Sequence, residues 1–220
     1  MPSKATPPDP AKGAADRVYR GVMRDLEEGR MVPGQRLAES ELAERFGVGR
    51  NAVREAIQRL ATRGVLDLTR YRSAAIRKLD LTETLEILDV AAAMTALVAR
   101  SAAERFEEAT HAHLLDEAMK ELGSDAAVRM SGAFSRARRI FYRSLLVIGA
   151  NRELQRIFPA IGMHIIYSQY QSPELQHIRL ADYRAISDAV SARDPDRAED
   201  AGHRHVEHVR VVVQAWQSSI

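Results

Sequence analysis

The chain has 220 residues, a formal net charge of +2, no cysteine and 5% aromatic residues. The missing thiols exclude disulfides and zinc–thiolate centres, and an apolar content of 45% is too high for wholesale disorder. No apolar run approaches the roughly 18 residues that span a bilayer, and a charge near zero leaves the local placement of arginine to decide whether nucleic acid is a partner.

Residues 1 to 14, rich in Pro, Ala, Ser and Lys, read as a flexible arm. They lack the apolar stretch of a signal peptide, so a cytoplasmic chain with no membrane partner is expected. Val18, Val22 and Leu26 share one face of a helix predicted from about Ala15 to Glu28, ended by Gly29 ahead of a Pro33-Gly34 turn. Leu42, Ala43 and Phe46 mark a short helix from about Glu39, broken by Gly47-Val48-Gly49. A third helix starts near Arg50, carries Val53, Ala56, Ile57 and Leu60 at helical spacing, and stops at Gly64. Val65–Thr69 and Ala74–Arg77 then predict a hairpin from the alternation of Leu66 and Leu68, with Arg70-Tyr71-Arg72-Ser73 at its tip. From Thr82 onward the pattern is helical, with breaks near Gly123-Ser124, Gly149-Ala150-Asn151, Ser172-Pro173 and Asp194-Pro195. A mostly α chain is expected: a winged helix-turn-helix over residues 15–79, then an antiparallel bundle of six or seven helices over 80–220.

In a winged helix-turn-helix the N-terminal side chains of the third helix enter the major groove. Arg50 and Arg54, one turn apart, share a face. Their guanidinium forks can grip guanine edges or phosphate oxygens through paired hydrogen bonds, and Asn51 can read adenine or hold phosphate. The wing tip offers Arg70, Tyr71 and Arg72 to a minor groove, whose negative potential attracts arginine.

These residues also carry a likeness. Pro33-Gly34, Leu37-Ala38-Glu39, Leu42-Ala43-Glu44, Gly47-Val48-Gly49-Arg50 and Val53-Arg54-Glu55-Ala56-Ile57 resemble the FadR-type branch of the GntR family of transcription regulators. The resemblance implies that Arg50, Asn51 and Arg54 contact double-stranded operator DNA, with Ser40, Gly49 and the wing residues beside them. Gly49 stands where the family prefers a capping Ser or Thr, Ala52 replaces a frequent Pro, and the wing tip lacks the usual Gly.

The second half is similar to the FCD sensor domain of that branch. Phe141-Tyr142-x-x-Leu145, Gly149-Ala150-Asn151-x-x-Leu154, Asp182-Tyr183-x-x-Ile186 and Arg193-Asp194-x-x-x-Ala198, closing on His205, stand where the family has its motifs. Many members hold a divalent metal with one Asp and three His. Here the Asp position is Arg138, the first two His positions are Tyr142 and Tyr183, and only His205 remains. A guanidinium repels a cation, and neutral phenols are poor ligands, so no metal and no other cofactor is expected. Arg138 can instead supply the positive charge for an anionic effector, a carboxylate or phosphate, with Tyr142, Tyr183 and His205 adding hydrogen bonds. The competing reading fills the cavity with the tyrosines and pairs Arg138 with an internal acid. Ala91 and Thr95 stand where relatives carry Arg and Glu, which removes polar lining.

The expected function is a homodimeric DNA-binding regulator controlled by a small anionic effector, or else a ligand-independent dimeric regulator with a vestigial pocket. No Gly-x-Ser-x-Gly elbow, phosphate loop or carboxylate–metal cluster suggests an enzyme. His205 and His208 offer at most a surface metal pair, and His164 reads as packed or at a pocket edge.

Overall fold

The computed structural model describes residues 10–68, 74–171 and 173–217, and it divides into two compact units, residues 1–78 and 79–220. In the first, α1 (Pro10–Glu27), α2 (Glu39–Phe46) and α3 (Arg50–Thr62) precede β1 (Leu66–Asp67) and β2 (Ala75–Ile76). Helix α1 begins at Pro10, earlier than the expected Ala15, so the end of the expected arm is helical. Proline is tolerated in a first helical turn, and the alanines that follow are strong helix formers. Ala15, Val18, Val22 and Leu26 are fully buried along its inner face. Gly47 ends α2 in the left-handed conformation at φ 60°, and its N–H bonds back to the Glu44 carbonyl, which turns the chain sharply into α3.

The expected hairpin is short. Leu66 pairs with Ile76 and Asp67 with Ala75, antiparallel, and Leu66 and Ile76 point into the core. Leu68, expected to alternate inward with Leu66, lies beyond the strand and is exposed. Residues 34–37 lie along the other edge of β2: Ile76 N–H donates to the Gln35 carbonyl at 2.8 Å and Leu37 N–H to the Ala74 carbonyl at 2.7 Å. This pairing buries Leu37 and occupies an edge that would otherwise stay open.

The second unit is helical: α4 (Leu81–Arg105), α5 (Glu108–Leu122), α6 (Asp125–Arg129), α7 (Ser131–Gly149), α8 (Arg152–Ile157), a 3₁₀ turn (Phe158–Ala160), α9 (Met163–Gln169), α10 (Pro173–Ser191) and α11 (Pro195–Gln217). Among the described residues that makes eight α-helices rather than six or seven. The excess comes from short pieces at the predicted breaks. Ser124 caps α6 through its hydroxyl, and Asn151 caps α8 by accepting from the Glu153 and Leu154 N–H groups at 3.1 Å. Helix α4 starts in a capping box, with Asp80 accepting from Glu83 N–H at 2.8 Å and the Glu83 carboxylate accepting from Asp80 N–H.

Helix α4 is alanine-rich where it is buried, at Ala91, Ala92, Ala96, Ala99, Ala102 and Ala103, so neighbouring helices approach closely. At the crossing with α11, a Cβ on Gly202 would sit 2.9 Å from the Thr95 carbonyl oxygen and 3.0 Å from Ala96 Cα. Both are backbone atoms of a buried helix, so relief requires the helices to separate. Gly202→Ala is expected to cost about 1–3 kcal/mol, seen as a lower midpoint for the second unit in thermal unfolding. A midpoint unchanged from the native protein would show that the crossing is loose.

Candidate nucleic-acid interface and sensor site

On α3 the burial alternates as the spacing requires. Val53, Ala56, Ile57 and Leu60 are buried, and Arg50, Asn51 and Arg54 are exposed on the opposite side. Gly49 occupies the N-cap with extended backbone (φ −73°, ψ 155°) and supplies no side-chain cap, so a hydroxyl does not occupy the first N–H groups of the helix. Ser40 is exposed in the first turn of α2. Beside it, Glu39 accepts a hydrogen bond from Arg54 Nε at 2.9 Å. One of the predicted DNA contacts is therefore tied to an acid of the preceding helix. Arg70, Tyr71 and Arg72 lie outside the described residues.

In the second unit the structure brings Arg138, Tyr142, Tyr183 and His205 together. The rings of Tyr183 and His205 are 4.8 Å apart and those of Tyr142 and Tyr183 5.8 Å apart, and the charge of Arg138 acts on all three. Arg138 lies on the inner stripe of α7, between Phe134, Phe141 and Leu145. It is not paired to an internal acid: among the described residues no carboxylate bridges it. Its guanidinium lies over the ring of Tyr167, with Cζ 3.5 Å from the centroid.

Two members of this cluster escaped the sequence reading. Tyr167 comes from α9, and Arg179 from α10. Arg179 Cζ lies 4.3 Å from the same ring centroid. Its Nε and Nη2 are buried without a hydrogen-bond partner. Burial, with Arg138 adding to it, lowers the Arg179 pKa to about 10, against the opposing pull of the tyrosines. A signal was available: Leu175, Arg179, Tyr183, Ile186 and Val190 recur at helical spacing, which places this arginine on an apolar stripe.

The tyrosines also pack as core. Tyr183 is fully buried, with ring centroids 4.9 Å from Phe141 and 6.4 Å from Phe134, and Tyr142 meets Phe158 at 5.2 Å. Burial pushes both phenols well above their ordinary range and keeps them protonated. With a guanidinium at the Asp position, neutral phenols at two His positions and a second buried guanidinium alongside, these residues do not fit a divalent cation. Among the described residues no three His, Asp or Glu side chains form a metal-holding group. Ala91 and Thr95, at the positions that lack the family's polar pair, are buried.

Asp182, next to Tyr183 in the chain, faces the histidines. Its oxygens accept from His205 Nδ1 at 3.1 Å and His208 Nδ1 at 2.8 Å. A carboxylate only accepts, so both Nδ1 atoms carry the proton. His205 Nε2 is then left as a buried atom without a partner. Burial pushes Asp182 up, but the two histidines outweigh it and hold the carboxyl below its usual value. Burial, reinforced by Arg179 and Arg138, holds His205 below its ordinary value despite Asp182. His205 therefore binds its proton more weakly folded than unfolded, and stability should fall as pH drops below about 6.5, the ordinary histidine value. The slope per proton is about 1.4 kcal/mol per pH unit. His205→Gln is expected to flatten the pH dependence of the melting temperature between about pH 7 and 5.5, a window set by the histidine value. Asp182 acts in a separate window below pH 3.8, where its stabilisation is lost on acidification. An unflattened curve would place the titrating group elsewhere.

No helix among the described residues is long and apolar enough to cross a membrane. The pattern described as "Bacterial regulatory proteins, gntR family" matches residues 14–76, and that of the FCD domain matches residues 86–208. The "Probable D-xylose utilization operon transcriptional repressor" of Paenarthrobacter nicotinovorans is 28% identical over 197 residues, covering 87% of this chain and 85% of its own. The "Galactonate operon transcriptional repressor" of Escherichia coli K12 is 26% identical over 210 residues, covering 84% of this chain and 90% of its own. Among solved structures, a GntR regulator from Rhodococcus sp. RHA1 aligns with a TM-score of 0.78 at 18% identity, covering 92% of this chain and 98% of its own. McbR/YncC of E. coli aligns at 0.71 and 19%, with the same coverage. With a helix-turn-helix first unit, a helical second unit and both patterns in register with them, this chain belongs to the GntR family of bacterial transcription regulators, in the group that carries an FCD domain.

Proposed function

We propose that this regulator is a homodimeric operator-binding repressor whose affinity for DNA is set by a small anionic effector held at Arg138. Repression is taken from the two relatives named as repressors. The DNA contacts in this reading are Arg50, Asn51 and Arg54, with Ser40 and Gly49 beside them and Arg70, Tyr71 and Arg72 at the wing. The effector would meet Arg138, Tyr142, Tyr183 and His205. The observation that carries the effector reading is Arg138 itself, a buried guanidinium with no carboxylate against it among the described residues. A buried cation without a counter-charge is costly, and its natural partner is an anion from solution.

A route from that site to the start of the second unit supports control of DNA binding. Tyr167, which carries the Arg138 guanidinium, is on α9 with Gln169. The Gln169 side-chain amide holds Leu79 at both ends, accepting from its N–H at 3.1 Å and donating to its carbonyl at 2.9 Å. Leu79 is the first residue of the second unit. A ligand that shifts Tyr167 therefore acts on the segment leading back to the DNA-binding unit, to the extent that it binds the two arrangements unequally.

The test is to select bound duplexes from a random pool, then titrate the complex with small acids, using native protein and Arg138→Ala. A symmetric half-site pattern supports a dimer, and release of DNA by an acid in the native protein alone supports the effector site. Equal response of both proteins overturns Arg138 as its seat. The tight ring packing of Tyr142 and Tyr183 favours the second reading, a ligand-independent dimeric regulator, for which no acid alters DNA affinity.

A further inference from the structure

The two buried arginines of the sensor unit share one aromatic ring, and among the described residues neither is paired to an acid. Arg138 and Arg179 place their Cζ atoms 3.5 and 4.3 Å from the Tyr167 centroid. Contact through the guanidinium face leaves the N–H edge open for a carboxylate or phosphate. On Arg179 that edge is unmet, because Nε and Nη2 have no partner although the residue is 3% exposed. The Tyr183 hydroxyl nearby is also buried without a partner. The carboxylate of Asp182, three residues on from Arg179, is engaged by His205 and His208. Tyr142 and Tyr183 cannot serve as counter-ions, since burial keeps them protonated. Two cations therefore meet one ring, and among the described residues no carboxylate is paired with either.

We propose that Arg138 and Arg179 form a two-cation clamp, with Tyr167 as its shared platform, for a ligand carrying two negative charges, a small dicarboxylate or a phosphate dianion. The proposal rests on the anionic-effector reading above and narrows it. One guanidinium suffices for a monocarboxylate. A second, buried at a cost and left with two nitrogens unmet, is best matched by a second negative charge. The site is then mismatched while empty, so the ligand-free protein is less stable than it would be with an apolar side chain at residue 179.

The experiment uses the full chain and three probes at matched ionic strength: succinate, inorganic phosphate and acetate. Calorimetric titration and thermal unfolding are run on native protein, Arg179→Met and Arg138→Ala. Native protein should bind succinate or phosphate roughly tenfold or more tightly than acetate, since each charged hydrogen bond is worth more than that factor. Whichever of the two binds more tightly tells a dicarboxylate site from a phosphate site. Arg179→Met should bring the dianion down to the affinity of acetate, while the ligand-free variant melts higher than native. A purely structural arginine would not give that gain. If Arg179→Met melts lower and binds the dianion as native protein does, Arg179 is structural and the clamp is overturned. If acetate binds as tightly as the dianions and only Arg138→Ala abolishes binding, the clamp fails and the anionic-effector reading survives. If none of the three probes binds, both fail.

Discussion

Arg54→Ala is expected to weaken binding to a selected operator by roughly 5- to 150-fold, the span of about 1–3 kcal/mol for one bidentate arginine contact. The hydrogen bond to Glu39 does not argue against this. Arg54 and Glu39 have side chains 64% and 41% exposed, and an ion pair so open to water is worth about 0–1 kcal/mol. In the proposed complex DNA would outcompete Glu39, and until then the pair would hold Arg54 on the exposed side of α3. The reverse change tests that order of strengths. Glu39→Gln removes the competing charge and should raise affinity by no more than about fivefold, the equivalent of about 1 kcal/mol. If Arg54 grips phosphate alone, its loss should lower affinity evenly across sequences and reduce the salt slope by about 1. If it reads a base, selectivity should relax at one position of each half-site. Unchanged affinity in Arg54→Ala would remove this arginine from the interface.

The local features of the chain were legible because they are local. The inner faces of α1 and α3 follow from residue spacing, and the turn between α2 and α3 follows from Gly47. The pairing of residues 34–37 with β2 was not legible. It joins segments far apart in the chain, and no alternation announces it. In the sequence α6 and α8 look like breaks, because Ser124 and Asn151 are turn formers as well as helix caps. At the sensor site, likeness to a metal centre points, position by position, to four residues. That route could not find Arg179 or Tyr167, which the likeness did not cover. The alternative it leaves open pairs Arg138 with an internal acid, whereas the structure provides a ring and directs Asp182 to the histidines.

The second large effect concerns Tyr183, which is core and also a residue of the proposed effector site. Its ring is fully buried among Phe134, Phe141, Tyr142 and His205. Removing it in Tyr183→Ala opens a cavity between α7, α10 and α11 and should cost about 3–5 kcal/mol. For a domain of this size that lowers the melting temperature by roughly 6–20 °C. Tyr183→Phe keeps the ring and deletes only a hydroxyl that is buried without a partner. Removing an unmet donor is near neutral or stabilising, so this variant should melt at or above the native temperature. The two substitutions separate the roles of one side chain: the ring stabilises the helices, and the hydroxyl does not. If Tyr183→Phe instead melted several degrees lower, the hydroxyl would be satisfied in the free protein. One of the unmet donors beside Arg138 and Arg179 would then be accounted for without a ligand.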